Sequence, residues 1–465
     1  MKTLLLITIT LLSFRLTAQT FRIVDAGGSG NYTTIQAAVD AANEMDVIEI
    51  NSGVYPDDVD AGNKKLFYRS KDDIATVLIT AAHFKVATGS VVKGLNFQGN
   101  FIVNSPEGAT YRSSDITLLD GNIFSSVTGY NYANIRFINN STISATFTEE
   151  SVREVYNNKI TNQLQVRNIA RTESENATNV IIYNNDIRVV SLIEGSSINS
   201  YRLFFFNNKV EGNVSVYGGD NLRGISVVAN KFTNIRLYNF NGLYDVEILG
   251  NEIGYKSASS LGYGIQISIR SSTPVADIYN LKINNNLIDS CLVALSMVRG
   301  STSGNVNSGR QEIEFRNNVI NNSDQLFSTE SGVTSPVVYA QNNIITNCND
   351  PLGSYAAKSY FITNDFFNTG DYPADINSLN VDPLFLDPAN GDFHLQSGSP
   401  CIDAGAGTAA IDLDLTPNDL GIYGGPYSME NYEGADPRVM MLNLDRTSID
   451  PGEDITIKAT GVSGE

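Results

Sequence analysis

The chain has 465 residues, a formal net charge of −19 from 31 Lys and Arg against 50 Asp and Glu, and 42% hydrophobic against 17% charged residues. This acidic balance provides no basic patch for nucleic acid or an anionic membrane, and the chain is too apolar for a disordered protein. Its 52 Asn and 38 Gly favour a turn-rich solenoid.

Cysteine and histidine are too sparse for several kinds of site. Three scattered Cys, an odd number, form neither a disulfide framework nor a zinc ligand set, and we expect them to be buried and inert or incidentally free. The two His, His83 and His394, lie far apart in the sequence, which argues against a His-based metal site or triad.

The first residues have the pattern of a secretory signal peptide. Lys2 supplies the positive charge, Leu4–Leu12 the apolar run, and Ala18–Gln19 a cleavage point. The apolar run is too short to span a bilayer, and no later stretch approaches a membrane span. We therefore predict a signal peptide over 1–18 and a secreted or cell-surface protein, with an N-terminal core helix as the alternative.

An N-terminal cap and first coils are predicted over 21–90. Thr33-Thr34 can cap a helix, and apolar residues at helical spacing place that helix over Ile35–Ala42. Val47–Ile50 is predicted as a strand. The preceding Gly-rich turn is not followed by the Lys-Ser or Lys-Thr of a phosphate-binding loop.

From 91 to 370 the chain repeats a short motif, in which an apolar run is followed by one or two Asn and another apolar position, as in EVYNNKI (Glu154–Ile160). Its mean spacing is about 24 residues. The eleven anchors are Asn122, Asn140, Asn158, Asn185, Asn208, Asn230, Asn251, Asn286, Asn318, Asn343 and Asn364. Helical repeats are longer, and the Leu skeleton and helix of leucine-rich repeats are missing.

The repeat predicts stacked strand–turn–strand coils. Asn suits the bends because it tolerates left-handed backbone geometry, and because its amide can both donate and accept along a stack. We therefore predict an all-β parallel β-helix of about 11–12 coils, a rod of about 55 Å at roughly 4.8 Å per coil. The open ends need caps, which we assign to the N-terminal helix and to a closing segment over 371–430. Alternating residues over 436–465 predict the start of a β-sandwich domain.

Two regions carry a resemblance to a known class. Gly28–Ala42 with Val47–Tyr55 resembles the start of pectin methylesterases and of the wider pectin-lyase-like class of right-handed parallel β-helices. Asp382–Gly405 with Asp412–Gly425 resembles the closing segment of exported bacterial β-helix repeat proteins. The resemblance implies a right-handed β-helix with a helical cap and an internal Asn ladder. The catalytic motifs of the esterases are missing, and the lyases have no local signature, so no catalytic residue is carried over.

Long insertions between repeats indicate where a binding face lies, because such insertions line one face of a solenoid. The insertions at 170–179 and 299–311 follow their anchors at a similar offset, so we expect them on one wall. The insertion at 255–264 lies in the coil before the second of these. We predict that 255–264 and 299–311 form two lips of a cleft.

The insertions also supply the candidate site residues. Tyr255 and Tyr263 can stack on sugar rings, and Lys or Arg can hold the carboxylates of an acidic glycan. The cations are Lys256, Arg270, Arg299 and Arg310, of which Lys256 and Arg270 are the catalytic candidates for a lyase. Solvated loops whose charges aid solubility are the alternative.

Carboxylates offer two further candidates. Asp186, Glu211 and Glu252 follow nearby bends, but Asp186 and Glu252 are three coils apart, too far for a glycosidase pair. The spacing of Asp412, Asp414 and Asp419 suits Ca²⁺, with a structural turn as the alternative.

Two functions remain open. The first is a secreted protein that binds, and as a lyase or glycoside hydrolase would cleave, an extracellular acidic polysaccharide. The second is a non-catalytic surface or adhesion rod. In either case we expect a monomer with no nucleic-acid partner and no membrane span.

Overall fold

The computed structural model describes most of the chain from residue 19 onward. The described ranges are 19–72, 74–104, 115–130, 133–148, 151–167, 180–193, 203–218, 221–240, 242–254, 262–269, 276–299, 308–330, 337–352, 359–373, 377–406, 411–412, 414–432, 438–444 and 457–462. The predicted signal peptide lies outside them. Three strand-lined faces, joined by bends, wind around one apolar core.

The first face is a parallel sheet of fifteen strands. Its strands are Phe21–Val24, Val47–Ile50, Phe67–Ser70, Val91–Lys93, Thr117–Asp120, Ile135–Ile138, Val152–Tyr156, Val180–Tyr183, Leu203–Phe206, Asn221–Val228, Gly242–Leu249, Ala276–Asn284, Ser308–Arg316, Val337–Gln341 and Ser359–Ile362. Each pairs with the strand one coil before it, which is the register of a parallel β-helix.

The second and third faces are built from the strands that follow each bend. In several coils one long strand bends at a bulge and serves both faces, whereas in others it divides into two. These strands are Gly53–Tyr55, Val59–Asp60, Val77–Ile79, His83–Ala87, Asn96–Asn104, Ile123–Gly129, Ser141–Phe147, Lys159–Arg167, Asp186–Ile193, Lys209–Val210, Asn213–Tyr217, Lys231–Phe232, Asn234–Phe240, Glu252–Ile253, Tyr263–Ile269, Leu287–Asp289, Val293–Arg299, Val319–Asn321, Gln325–Thr329, Ile344–Thr346 and Asp365–Phe367.

Two adjacent residues with different roles form the bend between the first and second faces. The first adopts a left-handed conformation, as Asn157 (φ 51°) and Asn184 (φ 53°) do. The second is the buried anchor, whose side-chain amide donates to the amide oxygen of the next anchor, at 2.9 Å from Asn158 to Asn185. This bond repeats without a gap from Asn122 to Asn364. The predicted Asn ladder is confirmed.

The number of coils exceeds the prediction of about 11–12. The eleven anchors account for the strands from Thr117–Asp120 onward, and four earlier strands of the first face precede the first anchor. The predicted all-β parallel β-helix with a helical cap is confirmed. The cap helix spans Ile35–Ala41, and the hydroxyl of Thr34 accepts from the backbone N–H of Ala37 at 3.3 Å.

The closing segment lies along the flank of the rod. Leu379 pairs with the last second-face strand, and the chain then folds back over the outer second face. There Phe393, Leu420, Ile422 and Met429 pack on three outward-pointing side chains of successive coils. Those side chains are Leu287, Val319 and Ile344. The segment thus buries an apolar stripe that would otherwise face water.

Asn side chains from the bends hold this segment in place. The Asn285 amide donates to the carbonyl oxygens of Ile422 (3.0 Å) and Gly424 (2.6 Å). One coil further, the Asn317 amide donates to the backbone carbonyl oxygen of Asp419. In the next coil the Asn342 amide donates to the carbonyl oxygen of Ala406, and its oxygen accepts from the N–H of the same residue. The left-handed Asn of these bends therefore has a second role, because its outward-pointing amide is buried against the returning chain and bonds to that chain's backbone.

A buried carboxyl makes the closing segment sensitive to pH. Asp365, fully buried, accepts from the Val381 N–H (3.1 Å) and the Cys401 thiol (3.6 Å), and burial raises its pKa to about 6. The folded state therefore binds this proton more tightly than the unfolded chain does, so stability falls as pH rises through the window from about 4 to 6. We expect Asp365→Asn to flatten this dependence and to stabilise the protein at neutral pH by at most about 3 kcal/mol. Thermal unfolding across that window measures both effects, and an unchanged slope would contradict the assignment.

The three thiols are free and buried, as expected, and burial raises the pKa of Cys291 and Cys348 to about 12. Arg438–Leu444 and Ile457–Val462 pair antiparallel with each other in a sheet of their own. In the described part of the chain, no helix has the length and apolar character needed to cross a bilayer.

Candidate functional site

The outer third face carries a strip of polar and aromatic side chains. Strand alternation turns Leu237 inward and Arg236 outward, and the parallel register aligns Arg236 with Ser215 in the coil before and Gln266 in the coil after. The same row continues through Ser296 and Ser328, whose hydroxyls bond at 3.1 Å. Ser215, Arg236 and Ser328 are half-buried, whereas Gln266 and Ser296 are buried, so the accessible polar groups of this row lie in the coils of Ser215, Arg236 and Ser328.

Two Tyr and one Arg form the centre of this strip. The Tyr217 and Tyr238 rings stack across adjacent coils, with centroids 5.1 Å apart and an interplanar angle of 17°. Arg236 donates to the Tyr238 hydroxyl at 3.0 Å, which holds the guanidinium beside the aromatic pair. Tyr217 is 37% exposed, and Tyr238 and Arg236 are half-buried. We call Tyr217, Arg236 and Tyr238 the third-face centre.

Charge on this face differs from charge on the whole chain. The six third-face segments around the centre contain three Arg (Arg167, Arg236 and Arg299) and no Asp or Glu. These segments are 163–167, 189–193, Asn213–Tyr217, Asn234–Phe240, Tyr263–Ile269 and Val293–Arg299. In a chain of net charge −19, these described segments carry positive charge only, which suits an acidic polymer.

The strands on either side show where the predicted cleft loops leave the rod. The chain leaves the second face at Gly254 and enters the third face at Tyr263, so the predicted lip at 255–264 begins at one edge of the third face. Arg299 ends its third-face strand beside Ile269, at the opposite edge, where the chain turns toward the first face. The strands that flank the two insertions therefore lie at opposite edges of the third face, and most of the two predicted lips lies outside the described residues.

The individual site predictions are only partly within the described residues. Tyr255, Lys256 and Arg270 lie outside them. Tyr263 begins the strand Tyr263–Ile269 and is half-buried. Arg299 and Arg310 belong to strands on either side of the corner between the third and first faces, and their side chains are outside the described set.

The candidate carboxylates of the second face lie among cations. Asp186 lies in register between Lys159 and Lys209, and the same row continues through Lys231 to Glu252. The Lys231 ammonium and the Glu252 carboxylate form an ion pair at 2.5 Å. Asp186 and Glu252 are therefore three coils apart, as predicted. Asp186 and Glu211 line one small cavity of about 80 Å³, together with Lys159, Ile160, Thr161 and Arg188.

The three Asp proposed for calcium hold turns of the closing segment. Asp412 accepts from the N–H groups of Asp419 and Gly425, and Asp414 accepts from the Thr416 N–H at 3.0 Å. Asp419 in turn accepts from the Asp403 N–H at 2.7 Å, and burial raises its pKa to about 6. Among the described residues, no group of three or more His, Cys, Asp or Glu is placed to hold a metal ion. Calcium binding stays a prediction.

Comparison with known proteins gives a likeness in architecture. No family model and no curated protein matches the chain. Among solved structures, the pectate lyase Pel9A aligns at a TM-score of 0.31 and 12% identity, over 88% of this chain and 97% of that one. A mutant of AlyGC, a PL6-family alginate lyase, aligns at 0.35 and 13%, over 82% of this chain and 56% of that one. The resemblance to pectin-lyase-like parallel β-helices is confirmed as a resemblance in fold, and no residue role follows from it.

Proposed function

We propose that this protein binds an extracellular acidic polysaccharide on its third face. The observation that carries the proposal is the third-face centre, an Arg held beside a stacked and partly exposed Tyr pair, among six described strand segments that contain no Asp or Glu. Sugar rings pack on aromatic faces, and a guanidinium binds a carboxylate in a bidentate manner.

The same proposal includes a possible reaction. In a lyase, a base removes the proton on the carbon next to the uronate carboxyl, a carbon–carbon double bond forms as the bond to the glycosidic oxygen breaks, and that oxygen takes a proton from water and leaves as a hydroxyl. Lys256 and Arg270, which flank the third-face strand Tyr263–Ile269 in sequence, are our candidates for that base. Binding of the polymer does not depend on this reaction, so binding and cleavage are tested separately.

The binding test uses the full chain and two acidic polymers, polygalacturonate and alginate, with a neutral glucan for comparison. We expect the parent protein to bind an acidic polymer, and Arg236→Ala to weaken that binding about tenfold or more, since a charge-assisted contact is lost. Tyr238→Ala should weaken it too, because it removes half of the stacked pair. Calorimetric titration provides the affinities, and ultraviolet absorbance of unsaturated uronate reports cleavage.

A matched control is Arg153→Ala, which removes an exposed Arg from the first face. It should leave the affinity unchanged. Equal losses in Arg153→Ala and Arg236→Ala would indicate a general charge effect, and a parent protein that binds neither acidic polymer would overturn the proposal.

One observation favours the second function, an adhesion rod. The strands Arg438–Leu444 and Ile457–Val462 pair only with each other among the described strands, in keeping with a separate module attached to the rod. Under this alternative the protein would adhere to a surface without cleaving polymer. Retention of the purified protein on cell-wall material, unaffected by Arg236→Ala, would support it over the third-face site.

A further inference from the structure

A second group of side chains lies just around the corner from the third-face centre. Arg223, Tyr244 and Tyr279 occupy one row of the first face in three successive coils, each aligned with the next by the strand register. We call them the corner column. Tyr217 and Arg223 belong to one coil and Tyr238 and Tyr244 to the next, so both groups rise side by side along the rod.

The first-face strands of these coils share one backbone feature. Asn221–Val228, Gly242–Leu249 and Ala276–Asn284 have eight, eight and nine residues, longer than the four of Leu203–Phe206 in the coil before and similar to the nine of Ser308–Arg316 in the coil after. Each contains a left-handed residue directly after its member of the corner column. These residues are Gly224 (φ 63°), Asp245 (φ 53°) and Asn280 (φ 55°), and the Asn280 amide donates to the Asp245 carboxylate at 2.9 Å. Because the same left-handed bend follows Arg223, Tyr244 and Tyr279, the three side chains leave the backbone at equivalent positions.

Arg223 has an unusual environment for an arginine. Its guanidinium carbon lies 4.0 Å from the centroid of the Tyr244 ring, so its flat face is stacked. Its Nε is buried and has no hydrogen-bond partner, and no described carboxylate lies within ion-pair distance of it. A stacked guanidinium still has its in-plane N–H donors to offer, and these match the two oxygens of a carboxylate.

Tyr279 extends this arrangement toward solvent. It follows Tyr244 in the row and is 49% exposed. Coils repeat at roughly 4.8 Å, so the row from Arg223 to Tyr279 covers about 10 Å, which is the scale of one or two sugar units. Asp245, which follows Tyr244 in sequence, accepts a hydrogen bond from the Asn280 amide.

We propose that the corner column is a uronate subsite, in which Arg223 binds the sugar carboxylate and Tyr279 packs on a sugar ring. This rests on the proposed binding of an acidic polysaccharide and makes it specific: the column selects acidic sugars over neutral ones. The third-face centre contributes affinity for the polymer, and Arg223 contributes the discrimination between a carboxylate and a hydroxymethyl group.

The test compares a galacturonate oligosaccharide with the galactose oligosaccharide of the same length and linkage, titrated into the full chain. We expect Arg223→Gln to lose about tenfold in affinity for the acidic sugar and to bind the neutral one as the parent does. Arg223→Lys should lose nearly as much, because Lys keeps the charge without the planar fork. Tyr279→Leu should weaken both sugars, whereas Tyr360→Leu, at a 58% exposed Tyr on the last first-face strand, should weaken neither.

Failure of the subsite and failure of the proposed function give different results. If Arg236→Ala weakens the acidic sugar while Arg223→Gln and Arg223→Lys match the parent, the subsite is overturned and the third-face site stands. If the parent binds neither oligosaccharide, the subsite is overturned, and the titrations with polygalacturonate and alginate decide the proposed function separately. Thermal unfolding of the variants checks that Arg223→Gln folds, and a selectivity lost in Arg223→Lys at parental stability cannot come from misfolding.

Discussion

Replacing an inner anchor of the ladder, Asn251→Ala, is expected to lower the free energy of unfolding by about 3–5 kcal/mol. The Asn251 amide nitrogen donates to the carbonyl oxygens of Val227 and Leu249 and to the Asn286 side chain, at 2.9–3.1 Å. Its oxygen accepts from the backbone and side chain of Asn230. Alanine would leave these groups unpaired in a site that is fully buried. Urea unfolding followed by circular dichroism measures the loss.

A matched control separates the ladder from asparagine in general. Asn162 is exposed and makes a single side-chain bond, to the Ser144 hydroxyl at 3.1 Å. Asn162→Ala should change the stability by no more than about 0.5 kcal/mol. Similar effects from the two substitutions would show that the ladder does not stabilise the rod as its geometry suggests.

The fold could be predicted because one residue type carries the bend. Every anchor from Asn122 to Asn364 must be Asn, since only a side-chain amide donates and accepts along the stack. The residue before it needs only a left-handed backbone, and Gly121, Ala229 and Thr363 also serve there. Spacing therefore located the coils from the first anchor on. Of the four earlier coils, one has Asn at this position, Asn51, whose amide donates to Asp25 rather than to another Asn, so these coils do not show the repeat and the sequence count fell short.

The site was harder to predict because its residues come from different coils. Tyr217, Arg236 and Gln266 are unremarkable in sequence, and only the register places them side by side. Insertions were visible as long gaps, so their positions on the chain could be predicted. The absence of Asp and Glu from the six segments around the third-face centre could be recognised only once the register showed which strands lie side by side. The same holds for Arg223, whose Tyr partner lies one coil away.

The sequence contains a pattern that marks where the closing segment docks, but the pattern can be recognised only when the strand register is known. One outward row of the second face reads Lys159, Asp186, Lys209, Lys231 and Glu252, and then Leu287, Val319 and Ile344. Charged residues occupy the row where it faces water. Apolar residues replace them where Ile422 and its neighbours lie on top. Because the row changes from charged to apolar residues at the coils that the closing segment covers, we predict that the segment docks at these coils and not elsewhere along the row.

Introducing a charge into that contact, Ile422→Asp, should release the closing segment from the flank. Ile422 is 1% exposed and packs in the cluster with Leu287, Val319 and Ile344. A carboxylate there has no cationic partner and would cost several kcal/mol if it stayed buried, so the segment would rather detach. Hydrogen exchange should then accelerate over 414–432 and over the uncovered strands.

Ile411→Asp is the control, because Ile411 belongs to the same segment and is 55% exposed. It adds the same charge and the same loss of apolar volume without entering the cluster, so exchange should stay at the parental rate. The Asn285 amide bonds to the backbone of residue 422, and this bond survives any side-chain change while the segment stays docked. Fast exchange in Ile422→Asp alone would thus assign docking to the apolar cluster. Parental exchange in both variants would show that the Asn contacts hold the segment by themselves.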